Sequence, residues 1–144
     1  VPFSGSWTAA QLVKHMTMSN DGFADLFNGP TTETSRPADL MAEKIKTILE
    51  DFNYKMNSPD FLYPPFKDYD HEELKVALEK VESKLVNMVD KLDWTKTCTG
   101  FELPVLGNLT RLEAIYFIIY HTKRHTKQLG DIVQKLKQTN IATA

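Results

Sequence analysis

Four stretches of this chain repeat their apolar residues every three or four positions, and no stretch alternates them over a useful length. The first period belongs to amphipathic helices and the second to half-buried strands, so the sequence is confined to helix packed on helix. The first stretch runs roughly from Thr8 to Asn28 with the stripe Leu12, Met16, Ser19, Phe23 and Phe27. Thr8 and Gln11 form a capping box at its start, and Gly29-Pro30 ends it. The second begins near Pro37, suited to a first helical turn, and presents Met41, Ile45, Ile48, Leu49, Phe52 and Met56 before Ser58-Pro59 stops it. The third opens on a capping box of Asp70 and Glu73 and reaches about Leu92 through Leu74, Leu78, Val81, Leu85 and Met88. Thr110 and Glu113 cap the last and longest helix, which extends to about Lys137. Between the second and third helices, the proline- and aromatic-rich stretch from Pro59 to Tyr69 reads as an ordered, packed loop.

These elements predict an all-α fold, a four-helix bundle, and 144 residues are the size of one domain. Hydrophobic residues at 42% and charged residues at 25% exclude a disordered chain. A formal charge of −2 provides no footprint for nucleic acid and no polybasic patch for a membrane surface. No apolar run approaches the roughly 20 residues of a membrane-spanning helix. The lone Cys98 cannot form an internal disulfide and there is no signal-peptide pattern, so a cytoplasmic location is expected.

The residues with the most chemistry are histidines. His121 and His125 lie four apart in the last helix, which puts their Cβ atoms about 6 Å apart on one face. Two imidazoles so placed can reach one ion. Zinc and nickel suit imidazole nitrogen, and catalytic sites commonly combine three protein ligands with an open position. The pair alone is a weak motif, since two surface histidines, or one satisfied by a core hydrogen bond, show the same spacing. The third ligand would be His15, on the flank of the first helix's apolar stripe. A histidine half-facing a bundle interior needs a partner for its ring nitrogens, whether a metal, a carboxylate or a backbone carbonyl. His71, among acidic residues at the start of the third helix, reads as exposed.

The stretch Trp7-Thr8-Ala9-Ala10-Gln11-Leu12-Val13-Lys14-His15 resembles the Trp-Thr/Ser-x-x-Gln-x-x-x-His signature of the DinB/YfiT-like superfamily. Leu109-Thr110-Arg111-Leu112-Glu113-Ala114, then Tyr120-His121-Thr122-Lys123-Arg124-His125 and Gln128, resembles its last helix, and the likeness covers nearly the whole chain. The resemblance implies a DinB-like four-helix bundle in which His15, His121 and His125 bind zinc or nickel. It departs at the start, because members carry another amphipathic helix before the Trp-Thr turn, whereas here only Val1 to Ser6 precede it. The chain is then a fragment, or its numbering begins after a further segment. Either the Pro37–Asn57 segment or a second subunit of a homodimer is expected to cover the core.

A divalent ion on three neutral imidazoles makes a bound water or thiol markedly more acidic. The expected function is therefore metal-dependent catalysis on a small-molecule substrate, by hydrolysis or by transfer of a low-molecular-weight thiol. The resemblance extends to bacillithiol- and mycothiol-dependent transferases and isomerases. The alternative is a non-catalytic ligand-binding or stress-response module with a structural or vestigial metal site. Gln128 shares the face of His121 and His125, so it is expected to support a ligand histidine or to bind substrate or thiol cofactor, the alternative being a buried amide bonded within the bundle. The acid/base candidates are Glu102, Asp21 and Tyr120; Glu113 reads as structural, and so does Cys98. Trp7, Phe23, Phe27 and Phe117 are candidates to line a cavity. Lys123, Arg124 and Lys127 read as a solvated face, from which Arg124 would be the one to meet an anion.

Overall fold

The computed structural model of the chain describes residues 6–142. Its elements are α1 (Ala9–Asn28), β1 (Thr31–Thr32), α2 (Ala42–Glu50), a short 3-10 turn (Asp60–Leu62), α3 (His71–Val86), β2 (Thr97–Cys98) and α4 (Arg111–Ala142). The first five residues, where the leading family helix was expected to be missing, lie outside the described residues.

Helices α1 and α4 form the central pair; α3 packs on α1, and α2 packs on α4. The four-helix arrangement expected from the periodicity is therefore the one observed. All five residues of the α1 stripe are buried, from Leu12 to Phe27. Phe23 and Phe27 meet Ile45 and Leu49 of α2, Ala114 and Phe117 of α4, and Cys98, Leu103, Leu106 and Leu109 from the segment before α4. β1 and β2 pair antiparallel, Thr31 opposite Cys98 and Thr32 opposite Thr97. This two-residue ladder, too short to leave an alternating signature, ties the exit of α1 to the approach to α4.

The ends of the helices depart from the periodicity in three places. α2 begins at Ala42 instead of near Pro37, because the intervening residues close turns three apart and the Met41 amide is taken by Glu113 Oε1 at 2.9 Å. It also stops at Glu50 rather than near Met56. Arg124 of α4 donates to the Leu49, Asp51 and Tyr54 carbonyls, and these bonds lead the chain out of the helix, leaving Phe52 and Met56 exposed. α3 ends at Val86, and Met88 and Leu92 reach the core from successive turns instead. Its cap is half of the expected box, as the Asp70 carboxylate accepts from the Glu73 amide at 2.9 Å without a reciprocal bond. α4 runs five residues past Lys137, through residues with no helix breaker among them.

Two arginines join elements distant in sequence. Buried Arg111 donates through Nε and Nη2 to the Phe27 carbonyl at the end of α1, at 2.9 and 2.7 Å. Arg36 meets the fully buried Glu113 carboxylate, which also accepts from the Met41 and Thr110 amides. Burial pushes the Glu113 carboxyl up, but those bonds outweigh it and hold the group below the usual carboxylate range. Among the described residues no helix is long and apolar enough to cross a membrane.

Candidate metal centre

The start of α1 shows why the Trp-Thr-x-x-Gln-x-x-x-His order matters. Thr8 Oγ1 accepts from the Gln11 amide at 3.1 Å, and Gln11 Oε1 accepts from the Thr8 amide at 3.0 Å, a complete capping box. The other end of the same Gln11 side chain donates from Nε2 to the Pro64 carbonyl at 3.0 Å. One helical turn on, His15 Nδ1 lies 2.9 Å from the Leu62 carbonyl. Gln11 and His15 thus hold the loop after the 3-10 turn against α1. Trp7 lies over the His15 ring, with centroids 4.8 Å apart, and meets Tyr63 of that loop edge-on at 5.3 Å.

His15 faces the two histidines of α4. Its Nε2 lies 3.4 Å from Nε2 of His121, which lies 2.9 Å from Nε2 of His125. The three ligand-capable nitrogens lie within 4.8 Å of one another. Zinc bonds of about 2.0–2.1 Å at tetrahedral angles would place ligand nitrogens roughly 3.3 Å apart. Two of the three separations, 3.4 and 2.9 Å, are close to that.

The other ring nitrogens decide which atoms are free. A carbonyl only accepts, so His15 carries its proton on Nδ1 and presents a bare Nε2 to the cluster. His125 Nδ1 likewise faces Gln128 Oε1 at 2.9 Å, which leaves its Nε2 bare as well. His121 Nδ1 is buried without a partner. Two lone pairs therefore point at a third imidazole in a poorly hydrated place, an arrangement that a cation relieves and that a core packed for stability alone would avoid. The donor set fits a borderline divalent ion such as zinc or nickel.

Burial keeps these rings neutral. It is the largest cause lowering all three pKa values, opposed at His15 by the Leu62 bond and at His125 by the Gln128 bond. His125 falls to about 4, and His121, flanked by the other two histidines and Arg124, falls well below the ordinary value. Neutral imidazole is the metal-binding form.

The trio lines a cleft of about 1280 Å³ that also exposes Trp7, Phe23, Phe117 and Gln128. Phe27, expected beside them, is instead fully buried in the core. Asp21, Glu102 and Tyr120, the acid/base candidates, are not among the residues lining the cleft, and Asp21 pairs with Lys84 of α3 at 2.8 Å. Arg124 does line it, but its guanidinium is engaged by backbone carbonyls rather than lying on a solvated face. Cys98 is fully buried in the core, where burial raises its thiol pKa against the lowering effect of Arg111. His71 is exposed. The parts sequence reasoning missed are the Leu62 and Pro64 carbonyls. Main-chain atoms carry no residue signature, and only Gln11, a donor with no evident use beyond the cap, hinted at them.

Comparison with known proteins finds relatives of the chain. The uncharacterized protein YuaE of Bacillus subtilis (strain 168) is 23% identical over 137 residues, covering 95% of this chain and 83% of that protein. The similarity is therefore spread along both chains. No solved structure matches at a significant level. The DinB superfamily profile matches residues 1–129, a span that holds all three histidines and Gln128. The chain belongs to the DinB superfamily.

Proposed function

We infer that this protein holds one divalent metal ion on the Nε2 atoms of His15, His121 and His125 and is an enzyme that transfers a small thiol to an electrophile. The observation that carries the reading is the convergence of three imidazoles, those of His15 and His125 buried and with their protons held on the far nitrogen by Leu62 and Gln128. Bound there, zinc or nickel would supply Lewis acidity toward a water or thiol in the open position.

The chain's own residues bear on which reaction follows. Hydrolysis of an ester or amide calls for a group that hands a proton to the departing fragment. Among the described residues no carboxylate bonds to any of the three imidazoles; Asp25, Asp60 and Asp131 line the cleft without doing so. A thiol, with an ordinary pKa of about 8.5, gives up its proton far more readily than water and depends less on such a group. In the transfer, sulfur forms a bond to the electrophilic atom, the leaving group departs with its electron pair, and the thiol proton passes to solvent. Trp7 lies tilted against the His15 ring and Phe117 stacks on His121, so each covers part of a ligand ring.

Titration of metal-free protein with zinc and nickel, followed by elemental analysis, tests the reading. About one equivalent per chain is expected; less than about a tenth at saturating metal overturns it. That no carboxylate bonds to the imidazoles also favours a second reading, a binding module in which the metal is structural. His121→Ala separates the two. Loss of activity with unchanged melting supports the enzyme, whereas lowered melting with no thiol transfer to any electrophile supports the module.

A further inference from the structure

Among the described residues six phenylalanine or tyrosine side chains are exposed: Phe52, Tyr54, Phe61, Tyr63, Phe66 and Phe101. Four of the six line the histidine cleft, and the other two lie on the same segment, between α2 and α3. Exposed aromatics gathered at one concavity mark a binding surface more than a packing fault. Phe61, from the 3-10 turn, and Phe101, from the segment before α4, meet edge to face with centroids 5.8 Å apart although Phe61 remains 63% exposed.

From that mouth two aromatic tracks lead inward. Tyr63 contacts Trp7, which contacts His15; Phe23 contacts Phe117 at 5.2 Å, which stacks on His121. The charges along the cleft do not select an ion. Lys55, Arg124 and Lys127 line it together with Asp25, Asp60 and Asp131, three of each sign. Arg124 is engaged by carbonyls, and Lys127 pairs with Asp131 at 2.7 Å. A volume of about 1280 Å³ exceeds the roughly 300–1,000 Å³ of a typical small-molecule pocket, which leaves room for a two-ring compound beside a small thiol.

We propose that the cleft binds an uncharged aromatic compound, its ring against Phe61 and Phe101 and its reactive end toward the histidines. This is the electrophile of the thiol transfer above, and it rests on that reading for the reaction but not for the binding. Both phenylalanines are specificity-determining residues.

Fluorescence titration with N-phenyl-1-naphthylamine, an uncharged probe that brightens in apolar surroundings, tests this on metal-free and zinc-loaded protein. Saturable binding of one probe is expected in both forms, weakened roughly fivefold to tenfold by Phe61→Ala and by Phe101→Ala. Phe66→Ala, exposed but off the cleft, leaves it unchanged, and the sulfonated analogue 8-anilinonaphthalene-1-sulfonate binds more weakly. No saturation, no effect of either cleft variant, an equal loss in Phe66→Ala, or preference for the sulfonate overturns the proposal. Probe binding without zinc binding would overturn only the metal reading; zinc binding without probe binding would overturn only this one.

Discussion

His15 Nδ1 lies 2.9 Å from the Leu62 carbonyl, and this one bond joins the first helix to the roof of the cleft and fixes which nitrogen the ring presents. Leu62 is itself placed by Gln11, whose Nε2 holds the Pro64 carbonyl two residues on. Gln11→Glu separates the two duties of that side chain. Glutamate still accepts from the Thr8 amide, so the cap on α1 survives, but it cannot donate to Pro64 and its charge repels the carbonyl. Zinc affinity, measured by competition with a chromophoric chelator, is expected to fall on the order of 10-fold with little change in helix content. Unchanged affinity would show that the loop is held without Gln11.

Gln128 does for His125 what Leu62 does for His15, from within the same helix. Gln128→Leu removes the acceptor and leaves the Nδ1 proton without a partner in a buried place, so metal affinity should drop about 10- to 100-fold. Gln128→Glu retains an acceptor and should preserve binding. Equal losses in both variants would mean that the amide contacts the bound thiol or substrate itself.

Glu113 lies two helical turns before His121 on the same helix and is easy to mistake for a catalytic base. Its carboxylate is fully buried and accepts from Arg36, Met41 and Thr110. Removing one partner of such a buried, hydrogen-bonded pair strands the others, at a cost of roughly 3–5 kcal/mol. Urea unfolding of Glu113→Ala should show a loss of that size, with zinc affinity unchanged in the folded fraction. A variant that keeps its stability but loses zinc would return Glu113 to the site.

The fold was legible wherever side chains three or four apart share one environment. The stripe of α1, the Thr110–Glu113 box and the His121–His125 spacing are all local patterns on a helix of known pitch. What was hidden depends on partners distant in the chain. Arg111 closes the end of α1 from 84 residues away, and Arg124 ends α2 from α4. Nothing beside these arginines distinguishes them from solvated ones. The same applies to half of the cleft, because Phe61 and Phe101 lie in segments without a period, and their meeting follows from the packing of α1 against α4 rather than from any pattern of their own. Phe27 illustrates the converse, a residue on the correct stripe but one turn too deep to reach the cleft.

Acid should loosen the metal-free protein through its three buried-site imidazoles. In the unfolded chain the three imidazoles take up protons near pH 6.5, whereas in the folded chain burial depresses all three, His125 to about 4. Between those values the unfolded state binds more protons, so stability rises with pH across the window and is lost as pH falls through it. At about 1.4 kcal/mol for each pH unit, His125 alone accounts for roughly 3 kcal/mol between pH 6.5 and 4. Glu113, held below the usual carboxylate range, loses stability in the same direction but only at lower pH. Urea unfolding of metal-free protein at pH 7, 6 and 5 should therefore show a steady fall, and His125→Ala should flatten part of it. A stability that stays level from pH 7 to 5 would mean that the rings are solvated in the metal-free protein, and the converging lone pairs would then form only around the ion.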